Sequence, residues 1–226
     1  MKNILKHYAD IVPFLGEIVG EHCEVVLQDI SPDQNCIVAI ANGHVSGRRV
    51  GSPLTNYALR LVTDGTWKHA DYSCNYPGRT LDGKQLRSST YFIKEGETLI
   101  GMLCVNAETQ HIKALSDAIL KLGGLNLMKE EGALPELNSR TVDEPELFYG
   151  SVEEISESVI SDYFGGRDMP RDRLTQEERL DIVARLEDKG VFMLKGAVSS
   201  VSKSLHCSEA SVYRYLSILH KMQQTG

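Results

Sequence analysis

The stretch LHCSEASVYRYL, residues 205–216, restricts this chain more than any other. Taken as a helix from Glu209, it sets Val212, Leu216 and Leu219 on one side and turns Ser211, Arg214 and Ser217 toward the other. The preceding GAVSSVSKSL supplies Val198, Val201 and Leu205 at i, i+3 and i+7, and only His206, Cys207 and Ser208 separate the two apolar patterns. Ser208 suits an N-cap, its hydroxyl accepting a hydrogen bond from an amide near Ser211. Further upstream, Thr175-x-x-Glu178 is a capping box opening a helix with Leu180, Val183, Ala184 and Leu186, which stops at Lys189-Gly190.

The spacing therefore predicts three helices, the last two joined by a tight turn and packed through Val198, Val201, Leu205, Val212, Tyr215 and Leu216. This is the helix-turn-helix pattern, whose second member enters the DNA major groove by its N-terminal half. Candidate base-reading residues are Ser208, Glu209, Ala210, Tyr213, Arg214 and Ser217. Arg214 can fork onto guanine and Glu209 can accept from a cytosine amino group, while Lys203 and Lys195 are candidates for phosphate. Two positions depart from the usual pattern: His206 stands where the turn favours glycine, and Ser202 where the first of the two helices favours alanine.

The net charge of −7 argues against nucleic acid only if it is spread evenly, and it is not. Residues 1–170 carry 15 Lys+Arg and 24 Asp+Glu, or −9, whereas 190–226 carry 4 and 1, or +3. Only the tail suits phosphates. Five cysteines, odd in number and without a C-x-x-C pair, fit reduced thiols rather than a disulfide frame, and Cys74 is expected to be a buried small side chain. No apolar run approaches the roughly 20 residues that span a bilayer, and the N-terminal apolar stretches are broken by Asp10, Glu17 and Glu21. The expectation is a cytoplasmic protein.

The front half reads as an α+β unit. A first helix carries Ile4, Ile11, Leu15, Ile18 and Val19 at helical spacing, with Pro13 expected to kink or restart it. CEVVLQDI (23–30) and CIVAIAN (36–42) flank a turn-rich loop, and SSTYFIK (88–94) and TLIGMLCVN (98–106) flank Glu95-Gly96-Glu97; both pairs predict antiparallel neighbours. A short helix is expected from Pro53 to about Val62, and the aromatic TWKHADYSCNYPG (66–78) is left unassigned. HIKALSDAILKLGG (111–124) places Ile112, Leu115, Ile119 and Leu122 on one stripe. The boundaries drawn are 1–124 for this unit, 125–170 for a connector with an amphipathic helix at 151–164, and 171–226 for the helix-turn-helix domain.

The motifs GVFMLKGAVSSVSKSLHCSEASVYRYL, IANGHVSGRRVGSPLT and SSTYFIKEGETLIGMLCVN together resemble the YheO-like transcriptional regulators, and the likeness runs in order over nearly the whole chain. That resemblance implies an N-terminal PAS-like antiparallel sheet with flanking helices, joined to a C-terminal all-α helix-turn-helix domain. It also implies a bacterial repressor or activator, in a group that includes regulators of D-arginine utilisation.

If the tail binds an operator in double-stranded DNA, the front should take the signal, a small effector that can be amino-acid-like. The loop IANGHVSGRR gathers Asn42, His44, Ser46, Arg48 and Arg49 beside a strand end, and Tyr91 and Asn106 would line the same cavity if the sheet curls as PAS-like sheets do. The stripes of the first helix and of 111–122 offer a homodimer contact matching a two-fold operator. A docking module with a non-DNA helical tail and an enzyme acting at the loop are the competing readings. No phosphate-loop spacing occurs, and Ser200-x-x-Lys203 lacks the companion motifs of penicillin-recognising enzymes. The seven histidines form no i, i+4 pair, so no metal and no cofactor are expected, and a metal site would have to be assembled from remote segments.

Overall fold

The structure, a computed structural model, describes residues 3–123, 146–165 and 171–223. Most of the expected connector, and residues 166–170 of the expected hinge, lie outside the described residues. Helix α1 (Asn3–Val19) leads into β1 (Cys23–Asp29), β2 (Cys36–Ala41) and α2 (Asn56–Thr63). Then come β3 (Tyr72–Thr80), β4 (Gln85–Glu95), β5 (Thr98–Glu108) and α3 (Gln110–Leu122). After the undescribed stretch, β6 (Glu146–Phe148) is followed by α4 (Val152–Tyr163), α5 (Gln176–Asp188), α6 (Ala197–Ser204) and α7 (Glu209–Gln223).

The strands form one sheet in the order β2-β1-β5-β4-β3-β6. Both expected antiparallel pairs are present. In the β4–β5 hairpin Glu95 faces Thr98, and Gly96 takes φ 60° at the first turn position, where a two-residue hairpin needs a positive φ. The unassigned aromatic segment is mostly strand β3. Its strand signal is hidden because the pairing slips between Ser73 and Tyr76, Asn75 adopts φ 60° there, and Pro77 cannot donate to a ladder. Pro77 is tolerated because the parallel partner β6 pairs only from Gly78 onward, so β3 is an edge at the proline. Cys74, expected to be buried, is exposed within this irregular stretch, and all five cysteines are free.

Helix α1 covers one face of the sheet, and it is continuous through Pro13. Most of the stripe singled out in the sequence points the wrong way: Ile4, Ile11, Ile18 and Val19 are exposed, and only Leu15 packs partly against the core, while Leu5, Val12 and Gly16 face the strands. The reason is close approach. A Cβ on Gly16 would lie 2.4 Å from the Ala41 Cβ, and one on Gly101 would lie 2.5 Å from Leu5, so two glycines let helix and sheet meet along the Leu5 face. The stripe of α3 is exposed too, with Ile112, Leu115, Ile119 and Leu122 all open to solvent.

On the opposite face of the sheet, Val26, Phe92, Met102 and Cys104 belong to one apolar core that runs through Leu59, Tyr149 and Ile155 to Val201, Val212 and Tyr215. Helix α4, expected inside a connector, packs on α5 and α6 through Ile155, Val159 and Ile160. The helical region is therefore seated on the sheet domain. Asn35 Nδ2 donates to the Met193 carbonyl at 2.7 Å, and Gly190, at φ 72°, fits against Thr63 and Leu59 of α2.

Candidate nucleic-acid interface and buried polar cluster

Two of the three C-terminal helices, α5 and α7, begin at side-chain caps, while α6 starts at Gly196 without one. The Thr175–Glu178 capping box is complete at α5, with the Thr175 amide donating to Glu178 Oε2 at 2.8 Å and the Glu178 amide donating to Thr175 Oγ1 at 3.2 Å. Between α6 and α7, His206 accepts φ 50°, the left-handed conformation that makes glycine common at this place in such turns. Ser202, where alanine is usual, is buried and its hydroxyl donates to the Ser199 carbonyl at 2.9 Å, so its polarity is absorbed within its own helix. Ser208 caps α7, its Oγ accepting from the Ser211 amide at 3.2 Å.

Val201, Leu205, Val212 and Tyr215 close the core between α6 and α7, and this fixes which side of α7 is left outside. Ser208, Glu209, Ala210, Tyr213, Arg214 and Ser217 are all exposed along its N-terminal half, with Lys203 exposed at the end of α6. Arg214 lies over the ring of Tyr215 with its guanidinium carbon 5.4 Å from the centroid, and Ser217 donates its hydroxyl proton to the Tyr213 carbonyl. Lys195 is exposed but sits apart from this face, beside a cleft with Asn35, Cys36 and Pro53 of the sheet domain. A surface of a cation, a carboxylate and small polar groups thus stands exposed on α7.

The loop residues 42–49 and their expected companions divide among four places. Asn42 takes φ 56° and its amide donates to the carbonyls of Gly16, Gly20 and Cys23, tying the end of α1 to β1. His44 is exposed against the Glu21 carbonyl, and the Arg49 side chain is in solvent. Tyr91 is corrected: it lies on the face opposite Asn106. The β4–β5 register pairs Ser88 with Asn106 and Tyr91 with Leu103, and alternate residues of a strand point to opposite faces, so an odd offset separates them.

Ser46, Arg48 and Asn106 do converge, on a residue the sequence reading passed over. Glu24 is fully buried in β1, and Arg48 Nη2 donates to its Oε1 at 2.8 Å with 1% and 0% of the two side chains exposed. Asn106 Nδ2 donates to the same oxygen at 2.8 Å, and the Ser46 hydroxyl to Oε2. The guanidinium also rests 4.6 Å from the centre of the Phe148 ring. Next to this group Thr55 donates to Glu146 Oε1 at 2.7 Å, and Tyr76, Thr90 and Cys104 form a buried hydrogen-bonded chain. Burial pushes the Cys104 thiol up to about 12, so it stays protonated. Arg48 Nη1 and Asn106 Oδ1 are buried without a hydrogen-bond partner, as are Ser88 Oγ and Glu146 Oε2 beside them. The sequence signal for Glu24 was its parity: Glu24, Val26 and Gln28 share one face of β1, while Val25 and Leu27 face α1.

Burial also raises the Glu146 carboxyl above its ordinary 4.5, against the opposing hydrogen bond from Thr55. The folded chain then holds this proton more tightly than the unfolded chain, so stability falls as pH climbs from about 4.5 through the raised value. Glu146→Gln should remove that loss, matching wild type below the ordinary carboxylate range and melting higher at neutral pH. Thermal melts across this pH range check it, and a variant that melts lower at pH 7 would sink the assignment.

A sheet domain with a buried polar inner face, joined to a helix-turn-helix with an exposed second helix, is the architecture of a DNA-binding transcriptional regulator. Comparison with known proteins agrees. The YheO-like PAS domain family matches residues 1–124, and an HTH domain matches residues 155–217, beginning inside α4. The chain belongs to the YheO-like family. It is 29% identical to the protein YheO of Escherichia coli K12 over 215 residues, covering 95% of this chain and 84% of that one. A Haemophilus influenzae protein is 27% identical over 222 residues, with 98% and 93% covered. The transcriptional regulator DauR of Pseudomonas aeruginosa is 25% identical over 220 residues, with 94% and 92% covered. Among the described residues no helix is long and apolar enough to cross a membrane.

Proposed function

We propose that this protein is a cytoplasmic transcriptional regulator that binds an operator as a homodimer and releases or engages it in response to a small, amino-acid-like effector. The observation that carries the DNA reading is the exposure of the whole N-terminal face of α7 while Val212 and Tyr215 anchor it from behind. The relative DauR, a transcriptional regulator by name and similar over nearly its full length, supports the same use. Arg214 and Glu209 are the base readers, Lys203 a phosphate contact, and Ser208 chiefly the cap that holds them.

The effector reading rests on the inner face of the sheet. Arg48 Nη1 is a buried donor and Asn106 Oδ1 a buried acceptor, both unpaired, as a compact zwitterion would require. The cavity at the junction with the helical region, lined by Leu59, Ile155 and Val159 among others, measures about 130 Å³, below the range usual for a drug-sized ligand. The core shared by sheet and helices offers the signal a route, since Val26 and Cys104, on the same sheet face as Glu24 and Asn106, belong to the core that runs into α4 and α6. The exposed stripes of α1 and α3 supply the dimer contact, and a two-fold dimer must present its recognition helices about 34 Å apart.

The test is capture of genomic DNA fragments by the purified chain, followed by titration of a retained fragment with salt and with single amino acids. Operator affinity should fall steeply with salt, log-linearly, as phosphate counterions are released. One amino acid should shift the midpoint. Failure to retain any fragment even at low salt would favour a protein-docking tail, and indifference to every amino acid would remove the effector class.

A further inference from the structure

Three side chains that are remote in sequence meet at one end of the sheet. His22 directly precedes β1, Glu108 ends β5, and His111 opens α3. The β1–β5 ladder brings them together: Cys23 pairs with Ala107, and the Glu108 amide donates to the His22 carbonyl at 2.9 Å. The first turn of α3 then folds His111 back over Glu108. The two imidazole rings sit 4.5 Å apart, centre to centre.

We propose that His22, Glu108 and His111 form a binding site for a divalent transition-metal ion of the zinc class. One ligand atom from each lies within 4.8 Å of the others. Glu108 Oε2 is 3.8 Å from His22 Nδ1, and Oε1 is 3.7 Å from His111 Nε2, so each carboxylate oxygen faces one imidazole nitrogen. Tetrahedral zinc with bonds of about 2.1 Å needs its ligand atoms about 3.4 Å apart, so small side-chain rotations bring this set to coordinating distance. Glu108 is 12% exposed and fixed at a strand end, whereas the histidines are more than half exposed and free to close on an ion. The far nitrogen of His22 lies 3.7 Å from Glu21 Oε1, the position of a carboxylate that orients a metal-bound imidazole.

Two imidazoles and one carboxylate favour zinc, cobalt or nickel over the oxygen-seeking magnesium and calcium. Three protein ligands leave further positions open. Such an ion would clip the first turn of α3, and with it the exposed stripe of that helix, to the end of the β1–β5 ladder.

Calorimetry of the full chain, freed of any histidine tag, with zinc alone is the experiment, supported by the visible absorption of cobalt(II). Wild type should bind one ion per chain and melt at a higher temperature with zinc than without. Glu108→Gln, which keeps the side-chain shape, and His111→Ala, at an exposed position, should each weaken binding by about tenfold or more. Failure of wild type to bind, equal binding by both variants, or equal affinity for magnesium would overturn the proposal. None of these outcomes depends on whether α7 binds DNA.

Discussion

Replacing Arg48 with methionine should lower the unfolding free energy by about 3–5 kcal/mol, read from the urea midpoint at unchanged slope. Glu24 has no exposed surface, and its neutralising partner is the Arg48 guanidinium at 2.8 Å. Methionine fills much of the arginine stem but leaves the carboxylate buried with only Ser46 and Asn106 as donors. Against a total stability of about 5–15 kcal/mol for a typical domain, that loss brings the chain near unfolding at moderate temperature. The sign of the second substitution makes the test specific. Adding Glu24→Gln removes the stranded charge and should recover most of the loss, whereas two independent packing defects would add. A double variant no more stable than Arg48→Met alone would show that the arginine acts through its stem against Phe148 and not through its charge.

The tail was legible because each of its features is local. A capping box, an N-cap serine and a three-residue turn all act within one or two helical turns, and α5 and α7 begin where those residues stand. The front half was legible only as far as its hairpins. Which face of a strand is inward depends on register, and register is set between strands, so Tyr91 and Asn106 could not be separated without the β4–β5 ladder. Helix α1 failed for a related reason: both of its sides are apolar, and the choice between them was made by glycines at 16 and 101 that admit close contact. Glu24 was hidden by the apolar residues around it. His22, Glu108 and His111 were invisible as a group because 85 residues lie between His22 and Glu108 in the chain and the β1–β5 pairing brings them together.

The shared core also bears on how a signal travels. A sensor and a reader joined by a flexible tether can couple only through occupancy or distance, but here α4 touches the reader helices and Tyr149 packs in the same cluster as Phe92 and Met102 of the sheet. Packed interiors respond to displacement as units because they hold few voids. On the proposed sensing role, an effector displacing Arg48, whose guanidinium rests on Phe148 next to Tyr149 of that core, would act on the seat of the helix-turn-helix itself.

Arg214→Ala should abolish discrimination at one operator position, costing about 1–3 kcal/mol or roughly 5- to 150-fold against the preferred base, while leaving the fold within about 0.5 kcal/mol of wild type. The two effects separate because the side chain is exposed on α7 and touches the core only by lying over the Tyr215 ring. A guanidinium can donate two parallel hydrogen bonds to a guanine edge, and an ammonium cannot, so Arg214→Lys should keep the charge and still lose the preference. Lys203→Ala supplies the contrast: it should weaken binding to all sequences alike and reduce the salt slope by about one. Measured on a captured operator and a set of single-base variants, these three proteins give distinct patterns. If Arg214→Ala retained full preference at every position while Lys203→Ala behaved as expected, α7 would still lie on DNA but would read it through other residues, with Tyr213 and Glu209 the nearest exposed groups on the same face.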